Sequence, residues 1–72
     1  MMTTIREARL RAGLTQQAMS DRFEIGLRTI KDWEAGTHHP PKWAERLVIR
    51  ELEQIAIIRL AAEERQKASG NK

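Results

Sequence analysis

The sequence predicts a single all-α domain that ends in a long helix. The chain has 72 residues, which is enough for one core. Apolar residues make up 40% and charged residues 32%, a balance typical of a soluble helical domain. Residues 42–66 contain neither Gly nor Pro and are rich in Leu, Ile, Ala, Glu and Arg, which favours one long helix or two with a shallow bend.

The first helix is predicted between Thr4 and Ala12. Thr4 and Glu7 have the spacing of a capping box, in which each side chain bonds the backbone N–H of the other residue. Gly13 then stands where a left-handed residue commonly ends a helix.

Two further helices are predicted within residues 15–35, separated by a short turn around Gly26. Thr15 can cap the first of them, which covers roughly 15–23. The second covers 27–35 and is closed by Gly36. Two short helices joined by a three-residue turn have the dimensions of a helix-turn-helix.

A loop is predicted at residues 37–41, because the consecutive prolines Pro40 and Pro41 disfavour a helix. The long helix then runs over 42–66, so that one domain spans residues 1–66. Residues 67–72 form a polar terminus that we expect to be disordered.

The predicted core combines apolar positions from all helices. We expect it to contain Ile5, Ala8, Leu14, Met19, Phe23, Ile25, Ile30, Trp33 and Leu47. A stripe of Ala44, Val48, Leu52 and Ile55 would dock the long helix on the rest of the domain.

Charge and composition narrow the classes of function. The net charge is +3, and residues 1–50 hold nine basic and six acidic residues while 51–72 hold four of each. This excess is compatible with an anionic partner. The chain has no cysteine and no apolar run long enough to span a membrane, so we expect a cytoplasmic protein with no membrane partner.

The helix-turn-helix residues resemble a known family. TQQAMSDRF (15–23) and LRTIKDWEAG (27–36) are similar to the second and third helices of Cro/phage-repressor-type regulators, the xenobiotic-response-element family with a lambda-repressor-like DNA-binding domain. The resemblance covers about residues 5–47 and implies a lambda-repressor-like fold that binds double-stranded DNA. It also implies an ion pair between Arg9 and Glu34, which would fix the first helix against the third.

Two residues depart from the family's pattern. Glu24 stands where the family most often has Gly, and a left-handed Glu there would cost about 1 kcal/mol or more unless the turn is distorted. Ser20 replaces a usual Ala where the two helices cross. Its hydroxyl can bond a carbonyl one turn earlier.

The resemblance implies which residues meet DNA. Leu27, Arg28, Lys31 and Asp32 are the expected base contacts, with Arg28 on guanine, Leu27 on a thymine methyl and Asp32 on a cytosine amino group, while Lys31 could contact either a base or a phosphate. The expected phosphate contacts are Gln16, Gln17, Thr37, His38 and Lys42. In the alternative interpretation, Arg28 and Asp32 simply pair with each other as helix neighbours four residues apart.

We predict no cofactor, no metal and no catalytic residue. His38 and His39 are adjacent, but there is no cysteine and no acidic residue nearer than Glu34 and Glu45, which makes a poor set of metal ligands. The sequence has no Gly-rich phosphate loop, and neither of its serines has a histidine at a suggestive spacing.

Residues 55–62 are apolar on every side of a helix except at Arg59. A helix of that kind is normally buried, and we expect a homodimer whose interface contains Ile55, Ile57, Ile58, Leu60, Ala61 and Ala62. The alternative is that the segment packs over Leu10 and Trp43 of the same chain.

These features lead to three hypotheses. In the first, the protein is a sequence-specific transcriptional regulator, a repressor that binds a palindromic operator as a homodimer. In the second, it is a protein-interaction module that has lost DNA binding and whose C-terminal helix meets a protein partner. The third combines both, with an antitoxin-like protein whose C-terminal helix holds a toxin while its front half represses its own promoter.

Overall fold

The computed structural model describes residues 3–70 and has four helices in this range. They are α1 (Ile5–Arg11), α2 (Gln16–Phe23), α3 (Leu27–Ala35) and α4 (Lys42–Gly70). The all-α prediction is confirmed, and the first three helices begin and end within a residue of their predicted bounds.

Local signals define the ends of α1. The Thr4 hydroxyl accepts a hydrogen bond from the Glu7 N–H at 3.1 Å, and the Glu7 carboxylate accepts one from the Thr4 N–H at 3.1 Å, which completes the capping box. This bond from the Thr4 backbone, together with a bond from the Thr4 hydroxyl, lowers the pKa of Glu7. Gly13 follows the helix with a φ of 74°, the left-handed conformation that ends α1.

The turn between α2 and α3 keeps the left-handed geometry despite Glu24. Its φ and ψ are 54° and 39°, and its N–H donates to the Ser20 carbonyl. The Ser20 hydroxyl donates forward to the Ile25 carbonyl, not back to the preceding helical turn as the sequence suggested. Ser20 therefore holds the far side of the turn against α2 and supports the conformation that Glu24 adopts.

We expect Glu24→Gly to stabilise the protein by about 0.5–1 kcal/mol, because glycine adopts a positive φ without the Cβ clash. Denaturant unfolding at constant pH measures this change. The matched control is Gly36→Ala. Gly36 also has a positive φ, of 80°, and a Cβ atom added there would have no contact within 4 Å, so the substitution tests the backbone conformation alone. This control should lose a comparable amount, and a Glu24→Gly variant less stable than the original chain would contradict the assignment of strain.

The helix α4 is continuous and longer than predicted. It runs from Lys42 to Gly70, four residues beyond the predicted end at residue 66. No Gly or Pro interrupts the chain until Gly70, so the helix has no local reason to stop earlier. Of the tail predicted to be disordered, residues 67–70 belong to α4, whereas Asn71 and Lys72 lie outside the described residues.

The core lies where α1, α2 and α3 meet the middle of α4. Its buried members are Ile5, Ala8, Ala12, Met19, Ile30 and Leu52, and Leu14, Phe23, Ile25, Trp33, Val48, Ile49 and Ile55 pack against them. The prediction of Leu47 as a core residue is wrong, because Leu47 is 57% exposed. Leu52, which the docking stripe predicted, is fully buried.

The second half of α4 projects from the domain. From Ile57 to Arg65 every side chain is exposed, and Leu10 and Trp43 are exposed as well. The alternative in which residues 55–62 pack over Leu10 and Trp43 is therefore wrong. The Cα radius of gyration is 14.1 Å, against about 11 Å for a compact domain of this length.

Arg59 is the charged residue in this segment that contacts the domain. Its Nη1 donates to the Arg11 carbonyl at 3.2 Å, at the C-terminal end of α1. A Cβ atom at Gly13 would lie 2.8 Å from Arg59 Nε, so the absence of a side chain at Gly13 leaves room for the guanidinium. Because Arg59 is turned toward α1, the outward faces of residues 57–62 are apolar.

Candidate nucleic-acid interface

The outer face of α3 brings four predicted contact residues together. Leu27, Arg28, Lys31 and Asp32 line one shallow depression. Ile30 points to the other side and is fully buried in the core. Arg28 and Lys31 are exposed, while Leu27 and Asp32 are half-buried. One hydrophobic, two cationic and one acidic side chain thus lie side by side on one exposed helix face.

The loop after α3 is held against the end of that helix. The Thr37 and His38 N–H groups both donate to the Asp32 carbonyl, at 3.0 and 3.4 Å. The His38 Nδ1 lies 3.5 Å from Asp32 Oδ2. The predicted phosphate contacts Thr37 and His38 therefore have fixed backbone positions beside the predicted base contacts, and Lys42 lies exposed at the start of α4.

The observed partner of Asp32 bears on the alternative interpretation, in which Asp32 pairs with Arg28 on α3. Of the ion pairs within residues 3–70, the one that includes Asp32 joins it to His38, and none joins it to Arg28. Arg28 is therefore available to a ligand on the exposed face of α3.

Arg9 and Glu34 form a bidentate ion pair between α1 and α3. Arg9 Nε lies 2.7 Å from Glu34 Oε2, and Arg9 Nη2 lies 2.9 Å from Glu34 Oε1. The two side chains are only 10% and 6% exposed. Arg9 Nη1 also donates to the Leu14 carbonyl at 2.9 Å, so the pair ties both helices to the segment that leads into α2.

The charges of this pair stabilise each other. Burial works against the ionised form of Glu34, but hydrogen bonds from Arg9 and Gln16 and the charges of Arg9 and Arg6 outweigh it and lower the pKa of Glu34. The hydrogen bond to Glu34 likewise raises the pKa of Arg9, against the effect of burial. The pair is therefore ionised at neutral pH.

The two glutamines at the start of α2 have different surroundings. Gln16 Nε2 donates to Glu34 Oε1 at 3.2 Å, so the amide is oriented by the same carboxylate that binds Arg9. Gln17 is exposed and donates to Asp21 within α2 at 3.0 Å. Of the two glutamines, Gln16 lines the groove between α1, α2 and α3, together with Lys31, and Gln17 does not.

Sequence reasoning missed Arg6. Its side chain lines the same groove as Gln16 and Lys31. The spacing of Arg6 and Arg9 could have identified it, because residues three apart lie on the same face of a helix. That face of α1 meets α3 through Glu34.

Two other classes of site find no geometric support in the described part of the chain. Between residues 3 and 70, no three His, Asp or Glu side chains come close enough to hold a metal ion. None of the four helices in that range combines the length and the apolar character that a membrane span requires.

A comparison with protein families identifies the fold of this region. The model of the helix-turn-helix family matches residues 5–42, which is just over half of the chain. The match begins with α1 and ends at the first residue of α4, so it covers the three helices that carry most of the candidate interface described above. Neither a curated protein nor a solved structure matches the chain.

Proposed function

Because the chain belongs to the Cro/phage-repressor-type helix-turn-helix family of DNA-binding transcriptional regulators, we propose that it is a repressor that binds a palindromic operator as a homodimer. The observation that carries the proposal is the exposed face of α3, where Leu27, Arg28, Lys31 and Asp32 lie together. Repression requires only that the bound protein occupy the promoter, whereas activation needs a further contact with the transcription machinery.

In the proposed complex, α3 lies in the major groove and its exposed face meets base edges. Arg28 is the strongest candidate for direct readout, because a guanidinium can donate two hydrogen bonds to guanine. Leu27 offers an apolar contact to a thymine methyl group, and Asp32 can accept from a cytosine amino group. Thr37, His38 and Lys42 lie on the adjoining loop and at the start of α4, where they can contact the DNA backbone.

We expect Arg28→Ala and Lys31→Ala to weaken DNA binding in different ways. Loss of Arg28 should relax specificity at one base position by about 1–3 kcal/mol, whereas loss of Lys31 should weaken all duplexes alike. Anisotropy titrations against the operator, its single-base variants and a random duplex measure both effects. If neither substitution changes any of these affinities, DNA is not bound through this face of α3.

The homodimer is supported by the apolar part of α4. Of the six residues predicted for its interface, Ile55 packs partly against the core, and Ile57, Ile58, Leu60, Ala61 and Ala62 are exposed. Packing this segment against its equivalent in a second copy would bury the same side chains on both chains. A two-fold dimer would present two α3 helices, which can enter successive major grooves if they lie about 34 Å apart.

Titration of a random duplex at low and high salt tests DNA binding itself. We expect clear binding at low salt and a steep loss of affinity as salt rises, since contacts with phosphates release counterions. Selection from a random duplex library should then recover an inverted repeat, and a reporter with that site in its promoter should be repressed. Absence of duplex binding at low salt would favour the alternative of a protein-interaction module that has lost DNA binding, in which the apolar surface of α4 binds another protein.

A further inference from the structure

A small groove lies beside the exposed face of α3. It is lined by Arg6 from α1, Gln16 from α2 and Lys31 from α3, with the Arg9–Glu34 pair and Ala35 completing its walls. We propose that this groove, here called the Arg6 groove, binds one phosphate of the DNA backbone, with Arg6 as a phosphate contact supplied by α1. This inference rests on the proposed function and adds a residue and a helix to its interface.

The charges in the groove favour an anion. Arg9 and Glu34 neutralise each other through two hydrogen bonds, so they add little net charge. In the part of the chain that the structure describes, neither Arg6 nor Lys31 forms an ion pair with a carboxylate. Arg6 and Lys31 are therefore two exposed cations that line the Arg6 groove, and a phosphate bound there would be paired with both.

Gln16 adds a neutral donor with a fixed direction. One N–H of its amide is held by Glu34 Oε1 at 3.2 Å, which restricts the rotation of the side chain. The amide nitrogen carries a second N–H that this bond does not use. Because Arg9 in turn holds Glu34, the orientation of Gln16 depends on the pair that joins α1 to α3.

The place of the groove matches the expected path of the DNA backbone. Lys31 lines both the Arg6 groove and the depression formed with Leu27, Arg28 and Asp32. A phosphate in the groove would thus lie next to the bases that α3 contacts. Phosphate contacts of this kind fix the register of a recognition helix without reading sequence themselves.

The test is the salt dependence of duplex binding by Arg6→Ala. Loss of one phosphate contact should reduce the slope of log K against log salt by about 0.9, on operator and random duplex alike, while base preferences stay unchanged. Arg6→Lys keeps the charge and should keep the slope. Arg50→Ala is the matched control, because Arg50 is exposed on α4 and lines a different depression, with Arg11 and Ile57.

The outcomes separate this inference from the proposed function. If the original chain binds duplex and Arg6→Ala has the same slope as the original, the phosphate contact is refuted while the proposed function stands. If the original chain does not bind duplex at low salt, the proposed function fails and this inference fails with it. Thermal melts establish that the variants are folded, which we expect because Arg6 is exposed.

Discussion

Glu34→Ala is expected to destabilise the protein by about 3 kcal/mol, because it leaves the buried guanidinium of Arg9 without its carboxylate partner. Arg9 would keep one bond, to the Leu14 carbonyl, and Gln16 would lose its acceptor. A domain of this length has a total stability of about 4–10 kcal/mol, so the variant would be largely unfolded at moderate denaturant concentration. Equilibrium denaturation followed by far-ultraviolet circular dichroism measures the change.

The control for this prediction is Glu63→Ala, which removes the same side chain from an exposed pair. Arg59 Nη2 lies 3.4 Å from Glu63 Oε1, and the side chains are 46% and 53% exposed. We expect this control to lose only about 0.3–0.5 kcal/mol. Equal losses in the two variants would mean that the Arg9–Glu34 pair contributes no more than a surface pair.

The stability of the original chain should also depend on pH through Glu34. The pKa of Glu34 is lowered in the folded state, whereas in the unfolded chain it is about 4.3. The pair therefore contributes its full stabilisation above the unfolded pKa, and this stabilisation is lost as the pH falls through the folded pKa. The variant Glu34→Gln should lack this part of the acid dependence.

Ile58→Asp is expected to convert the proposed dimer to monomers. Ile58 is 66% exposed within one chain, so the substitution should leave the fold of the monomer intact. In the dimer the same change would place a charge in an apolar interface, where it cannot be hydrated. Sedimentation equilibrium at micromolar concentration should give twice 8.3 kDa for the original chain and 8.3 kDa for the variant.

Two further measurements follow from the same substitution. Thermal stability of the original chain should rise with protein concentration, and that of Ile58→Asp should not, because only association makes the melting temperature depend on concentration. Operator affinity should fall in the variant, because a monomer can contact only one of the two half-sites. Leu47→Asp is the control, since Leu47 is an exposed leucine of α4 outside residues 55–62. A mass of 8.3 kDa for the original chain would contradict the homodimer.

Features encoded by neighbouring residues were predicted well. The capping pair Thr4 and Glu7, the N-cap Thr15 and the closing Gly36 each act within one helical turn, so the sequence specified where α1 and α2 begin and where α3 ends. The left-handed Glu24 was harder to predict, because its conformation depends on Ser20 bonding the Ile25 carbonyl across the turn.

Features that depend on packing between distant residues were predicted less well. Leu47 was assigned to the core, although the face of α4 that docks on α1 is set by Val48, Leu52 and Ala56. The predicted docking stripe included Val48 and Leu52 correctly, but apolar residues occur on several sides of α4, so periodicity alone could not exclude Leu47. The spacing of Arg6 and Arg9 places both on one face of α1, but Arg6 comes to line one groove with Lys31 and Gln16 only after α1 has packed on α3.

The continuity of α4 has a consequence for the DNA that the protein would accept. If two copies join through residues 57–62, no glycine or proline hinge lies between that junction and the start of α4 at Lys42. The protein could then adjust little when the spacer between half-sites changes. One inserted base pair rotates a half-site by about 34–36° around the duplex axis, and the DNA would have to untwist to compensate. Sites bound by the protein should therefore share one spacer length, even where their base sequences differ.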